Sequence, residues 1–422
     1  MKKLAVLVLI IVGAVAAFAQ TSTSAQPKLS PAEQSMAVAN KLIEKNPKNY
    51  EAYNALALAL SRRARETSDV AFYAQAETAL QRSFEISPGN FDGERIHVWL
   101  LLGKHEFAAA LQEATKLNKK MPDDVMVYGF LTDANVELGN YKDAENACQR
   151  MLDLRTGNLP GITRAAYLRE LFGDIDGSLD LMNTALQSTP PTQAEDGAWI
   201  LAQMAHLNLA IGNLDKSEKL LHQALVMFPG YHYALGNLAK VRIQQKRYGE
   251  AVELLQQRYQ AAPHAENLYD LAEALQLAGR TDEAQKAFAE FERKSLLETG
   301  RADNSNHELI FYYADHANQP AKALAIAKRE IARRQDVFTL DSYAWALYVN
   351  GQYGEARKQI ETALAVGIRD ARMFRHAGEI SLQAGDRAAA ERYLRQAAEL
   401  NSLGSERART TLAAVSPVAG KR

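Results

Sequence analysis

The chain has 422 residues, of which 47% are hydrophobic and 23% charged; it is apolar enough to bury a core and too apolar to stay unfolded. Its net charge of −1 is spread without a strong single-sign block, which excludes the basic patch a nucleic-acid binder needs to neutralise phosphates. A single cysteine, Cys148, excludes an internal disulfide, so the fold rests on packing alone.

At the start of the chain, Lys2 and Lys3 precede an apolar run from Leu4 to Phe18, and Ala17-Phe18-Ala19 places small residues at cleavage positions. This is the pattern of a secretory signal over residues 1–19, cut after Ala19, and it predicts a periplasmic or secreted protein. An uncleaved N-terminal membrane anchor is the alternative. No second long apolar run follows, so no stable membrane span is expected after signal removal. Residue 20 is Gln rather than Cys, which argues against lipid attachment there. Residues 20–29 and 416–422 read as disordered.

Ser30-Pro31-Ala32-Glu33 is a capping box with proline at the first helical position, and it opens a helix that runs to Glu44. Residues 30–49 are expected to form a capping half-repeat. Beyond them a period emerges. Small residues recur at Ala76, Ala110, Ala144, Ser178, Ser217, Ala251, Ala284, Ala323, Ala356 and Ala390, spaced by 33, 34 or 39 residues, which is the mark of a repeat solenoid. Twelve residues before these anchors stand Ala166, Ala205, Ala239, Ala272, Ala344 and Gly378, on stretches with helical apolar spacing. Five before them stand Gly139, Gly173, Gly212, Gly279, Gly351 and Gly385, where glycine permits a left-handed turn between helices. Twelve after them stand Pro88, Pro122, Pro190, Pro229 and Pro263, which close each unit. The unit is helix, turn, helix, stop, and its small residues mark close helix crossings.

Insertions interrupt the period at 61–73, 188–197 and 296–307; the first is expected to extend the helices of its unit, the other two to lengthen links. The unit anchored at Ala323 departs most, with Phe311 and Pro320 at positions that are small and aromatic in other units. Residues 403–415 can lie on the last repeat as a capping helix.

The 34-residue period, the paired small positions, the Gly turns followed by an aromatic (Gly139-Asn140-Tyr141, Gly351-Gln352-Tyr353) and the closing prolines resemble the tetratricopeptide repeat family over residues 50–402. The resemblance implies an all-α, right-handed superhelical solenoid of about ten repeats whose first helices line a concave, ligand-binding face. Register then selects the position eleven residues before an anchor: Asp133, Tyr167, His206, Lys240, Glu273, Tyr312, Trp345 and Glu379. Neighbouring positions add Tyr269, Asp315, Asp341 and Tyr348, with Trp199 and Tyr233 at the rim. Aromatics among carboxylates fit an extended peptide or glycan; the alternative is that several rings pack against the adjacent repeat. Tyr312, Asp315, Asp341, Trp345 and Tyr348 are expected to form the partner site, for an extended and partly basic ligand, with the insertion at 296–307 as the next candidate. Family members that clamp a chaperone C-terminus use Lys, Arg and Asn in adjacent units; here only Lys240 fits, between His206 and Glu273.

Signatures of chemistry are missing: there is no phosphate loop, nucleophile elbow, paired-Cys zinc spacing or His-Glu-x-x-His helix. Nine histidines are scattered, and no cofactor or metal is expected. Cys148 sits one turn into a second helix, where a small side chain packs. The function expected is an exported scaffold or assembly factor, not an enzyme, that binds a protein or peptide partner of the envelope or of secretion. A periplasmic receptor for an extended peptide or glycan is the alternative. A hydrolase using Asp315, His316, Asp341 and Tyr348 is the remaining reading.

Overall fold

The repeat spacing is realised as pairs of helices. The computed structural model describes residues 29–67, 69–298, 306–400, 402 and 404–415. Residues 1–19, read above as a signal, residues 20–28, residues 416–422 and most of the insertion at 296–307 lie outside the described residues.

Helix α1 (Pro31–Lys45) begins at the Ser30 cap, whose hydroxyl accepts from the Glu33 N–H while the Glu33 carboxylate accepts from the Ser30 N–H. Ten pairs follow among the described residues. The first five are α2 (Tyr50–Thr67) with α3 (Ala71–Ile86), α4 (Phe91–Gly103) with α5 (Phe107–Lys120), α6 (Val125–Glu137) with α7 (Tyr141–Leu154), α8 (Leu159–Leu171) with α9 (Ile175–Ser188), and α10 (Ala194–Ala210) with α11 (Leu214–Met227). Next come α12 (His232–Gln244) with α13 (Tyr248–Ala261), α14 (Ala265–Leu277) with α15 (Thr281–Glu298), and α16 (His307–Phe311) with α17 (Pro320–Ile331). The last are α18 (Val337–Val349) with α19 (Tyr353–Ala365) and α20 (Ala371–Gln383) with α21 (Arg387–Glu399); α22 (Ser405–Val415) packs on α21 and α20. No strand occurs among the described residues.

The anchors sit where the crossings are tightest. Each is the fourth residue of its second helix, except Ala76, the sixth of α3, and none is more than 3% exposed. Ala166, Ala205, Ala239, Ala272 and Ala344 on the facing helices are fully buried. At Gly378 a Cβ would stand 2.6 Å from Leu394 Cγ, so the helices approach too closely there for any side chain. The turn glycines adopt positive φ, and where the unit lacks glycine, His105, Lys246 and Asn318 adopt it instead. Geometry of the repeat thus overrides the local cost of a left-handed residue. In the unit with Phe311, the first helix is short and continues as a π-helical turn over Tyr312–His316.

Two insertions are absorbed differently from a simple loop. Helix α2 has 18 residues. The second insertion lengthens α10 to 17 residues as well as the link before it, because Ala194-Glu195-Asp196 continues as helix. These extensions meet: Arg65 of α2 forms an ion pair with Glu195 and another, at 2.8 Å, with Asp196. Tyr231 donates its hydroxyl to Glu195 at 2.8 Å, and His232 Nε2 lies 3.2 Å from the Arg65 carbonyl.

Further along, successive coils of the superhelix touch. The Gln335 N–H donates to the Glu137 carbonyl at 2.8 Å, and the Val337 N–H donates to the Tyr141 hydroxyl at 3.0 Å. Arg334 lies over the Phe107 ring at 4.8 Å. The Gly173 turn abuts Gly367 so closely that a Cβ would be 2.5 Å from its carbonyl oxygen. Turns within the units of one coil therefore seat on links between the units of the next.

Candidate partner-binding groove

First helices present their side chains inward, and three adjoining cavities follow them from α2 to α10. The largest, of about 890 Å³, lies among α2, α4, α6, α8 and the start of α10, with Trp99, Tyr167 and Trp199 on its wall. A second, of about 420 Å³, shares Arg62, Trp99 and Met126 with it. A third, of about 240 Å³, shares Leu102, Asp133, Arg164 and Tyr167. Shared residues make these one continuous, elongated groove.

Its electrostatics divide into satisfied and unsatisfied cations. Arg164 binds Asp133 through Nε at 2.8 Å and through Nη2 at 2.5 Å, and its Nε also reaches the Gly129 carbonyl at 3.2 Å. Gly129 leaves the space in which that guanidinium lies, since a Cβ there would be 3.1 Å from Arg164 Cζ. Arg65 is held by Glu195 and Asp196. Arg62 and Arg155 line the same cavity, are exposed, and form no ion pair among the described residues. Tyr167 has its hydroxyl pushed well above its ordinary pKa by burial, then by Glu137 and Asp336, so it acts only as a neutral donor or acceptor.

The residues selected by register fall into distinct settings. Tyr167 and Trp199 line the main cavity. Tyr233 is half-buried, tilted against His232 with ring centroids 4.0 Å apart. His206 is half-exposed and pairs through Nε2 with Glu170 at 3.0 Å. Lys240 and Glu273 line a separate cavity of about 850 Å³ beside α22. Tyr269 is 7% exposed, edge-on to Phe288 and donating to Glu273 at 3.2 Å. Tyr312 stacks on Phe288 at 5.5 Å.

Around Trp345 the expectation of an open C-terminal groove is not met. Trp345 is 2% exposed, stacked on His376 at 4.1 Å and on Tyr348 at 4.6 Å, with Arg375 over its face and its N–H donated to Asp315 at 2.9 Å. Asp341 is fully buried and accepts from His376 Nδ1 at 2.6 Å; Arg375 Nη2 stands 2.8 Å from His376 Nε2, which makes that nitrogen an acceptor and the ring neutral. Burial opposes the charge on Asp341, yet His376, Arg372 and Arg375 outweigh it and hold the carboxyl below its ordinary range. Trp345 and Asp341 are covered by α20 and so brace the units against one another, whereas Asp315 is exposed and Tyr312 and Tyr348 are half-buried.

The acid-base cluster also disperses. Asp315 serves Trp345, His316 faces Glu273 at 3.4 Å, and Asp341 is spent on His376. Cys148 is buried with its sulfur 3.8 Å from the Gly161 carbonyl, and burial pushes its thiol up to about 11, which leaves it protonated and inert. No cluster of three metal-ligating side chains occurs among the described residues, and none of their helices is long and apolar enough to cross a membrane.

Sequence reasoning passed over Trp99 and Arg65. Both stand eleven residues before an anchor, Ala110 and Ala76, so the register that found Tyr167 points to them equally. Arg62 and Arg155 carried no such signal, one being a turn earlier on α2 and the other in a link.

The paired helices, buried small residues and coiled succession define the class: an all-helical superhelical repeat solenoid. Tetratricopeptide repeat patterns match residues 38–81, 203–266 and 344–405, so those stretches are similar to tetratricopeptide repeats and support that reading of the solenoid. No curated protein sequence matches it. Among solved structures it is similar to human IFIT1, seen as a dimer with m7Gppp-AAAA, at 16% identity and a TM-score of 0.51, covering 87% of this chain and 85% of that one. It is also similar to the APC/C hetero-tetramer Cut9-Hcn1, at 13% identity and a TM-score of 0.47, covering 91% of this chain but only 60% of that one. Yeast Tom70 matches at 13% identity and a TM-score of 0.41, covering 91% and 95%. The likeness to IFIT1 is one of fold.

Proposed function

We propose that the chain is an exported protein-interaction scaffold that holds a segment of an envelope or secreted partner in the groove along α2 to α10, and that it catalyses no reaction. The observation that carries this reading is the elongated run of cavities walled by Trp99, Tyr167 and Trp199, since half-buried aromatics in a concave site are the side chains that anchor partners. Repeats of this kind support a protein-binding scaffold. Export rests on the charged and apolar start of the sequence.

A photo-crosslinking residue placed at Trp99 in cells, with a second at exposed Lys142 as control, tests the binding role. Crosslinks to a discrete partner from position 99 and not from 142 are expected. Equal labelling from both, or none from 99, would sink the groove. N-terminal sequencing of the same material tests export: a chain that keeps Met1 and stays in the cytoplasm contradicts it.

A further inference from the structure

The main cavity joins first helices of the repeat to parts that the insertions and a link add. Its wall includes the extension of α2, the extension of α10, and the link carrying Arg155. The ion pairs from Arg65 to Glu195 and Asp196 tie two of those parts together at its edge. At about 890 Å³ it falls in the size range of ligand sites, which admits a few residues of extended chain and no folded domain. The adjoining cavities, which share residues with it, prolong the space along one direction, as an extended segment requires.

Charge selects among extended segments. Asp133 is neutralised by Arg164, and Arg65 is shared between Asp196 and Glu195. Arg62 and Arg155 are the remaining cations on the wall, exposed and without a carboxylate partner among the described residues. Trp99 stands between the two larger cavities, contacting Phe130 edge-on at 6.2 Å and leaving the rest of its ring to the groove.

We propose that this cavity binds an extended acidic polypeptide segment carrying a large apolar side chain, with Arg62 and Arg155 reading the carboxylates and Trp99 and Trp199 walling the apolar group. The assignment rests on the scaffold reading and names the partner's chemistry. It reverses the partly basic ligand that the sequence predicts for the C-terminal half.

The test is fluorescence anisotropy of the full chain with three fluorescein-labelled octapeptides. One carries glutamates around a central phenylalanine, one has lysines for the glutamates, and one has alanine for the phenylalanine. The first should bind most tightly and weaken with salt. Arg62→Gln and Arg155→Gln should each loosen it about tenfold, the loss of one charge-assisted contact, and Trp99→Ala should loosen it without altering its salt dependence. Both arginines are exposed, and circular dichroism of each variant checks that it folds. Equal or tighter binding of the lysine peptide overturns the acidic assignment and leaves the scaffold reading standing. Undiminished binding by both arginine variants overturns it too, by placing the site elsewhere. Failure of all three peptides overturns the proposal, while crosslinking from position 99 decides the scaffold reading independently.

Discussion

A turn glycine does one job at Gly279 and two at Gly173. Both adopt positive φ, but a Cβ on Gly279 would meet nothing within 4 Å, whereas one on Gly173 would strike the Gly367 carbonyl. Gly279→Ala should therefore cost about 1 kcal/mol, the penalty of a left-handed residue with a Cβ. Gly173→Ala should cost a further 1–3 kcal/mol or so, because overpacking a close contact adds to that penalty. Thermal or urea unfolding of the two variants compares them directly; equal losses would mean that the coils do not touch at this point. The same contrast limits what register can say about Trp345 and Tyr167. Both stand eleven residues before an anchor, so both face inward, yet Arg375 and His376 cover one and open space lies before the other. Periodicity specifies the direction of a side chain, not what a neighbouring unit sets in front of it.

At the scale of the helix, the small anchors carry the packing. Ala251 and Ala356 are fully buried on α13 and α19, and replacing either by Leu should cost about 1–3 kcal/mol by forcing the crossing apart. An unchanged thermal midpoint for either variant would contradict the crossing described for that unit. Helix boundaries, turns and crossings were legible because each has a local chemical cause: proline cannot donate, glycine tolerates positive φ, and alanine lets backbones approach. Absorption of the second insertion into α10 was less legible, since Thr189-Pro190-Pro191-Thr192 reads as a link and gives no sign that the following residues lengthen a helix. Contacts between coils were not legible at all. They depend on the pitch of the superhelix, a small rotation per unit summed over many units, to which no single residue type is committed.

Across the whole molecule, the seam between coils makes stability depend on pH. Glu137 is pushed up to about 8 from an ordinary 4.5 by burial, then by Asp336 and Asp133, which outweigh Arg334 at 3.5 Å. Between those values the unfolded chain releases a proton that the folded chain keeps. The contribution of Glu137 is therefore fully present below pH 4.5 or so and declines as pH rises towards 8. Glu137→Gln removes that decline, so the midpoint of the variant relative to the parent should rise between pH 5.5 and 8.5. A difference that stays flat across that range would show that Glu137 ionises as freely in the fold as out of it. The seam also changes the kind of chain this is kinetically. Solenoids whose units meet only their neighbours unravel like a one-dimensional stack, and they fold fast because every contact is local. Here the bond from Val337 to Tyr141 joins residues 196 apart, so the closing of a long loop must precede it. Folding consequently acquires a late, slow docking of one coil on the next, and fraying at either end is communicated across the array instead of stopping at the adjacent unit.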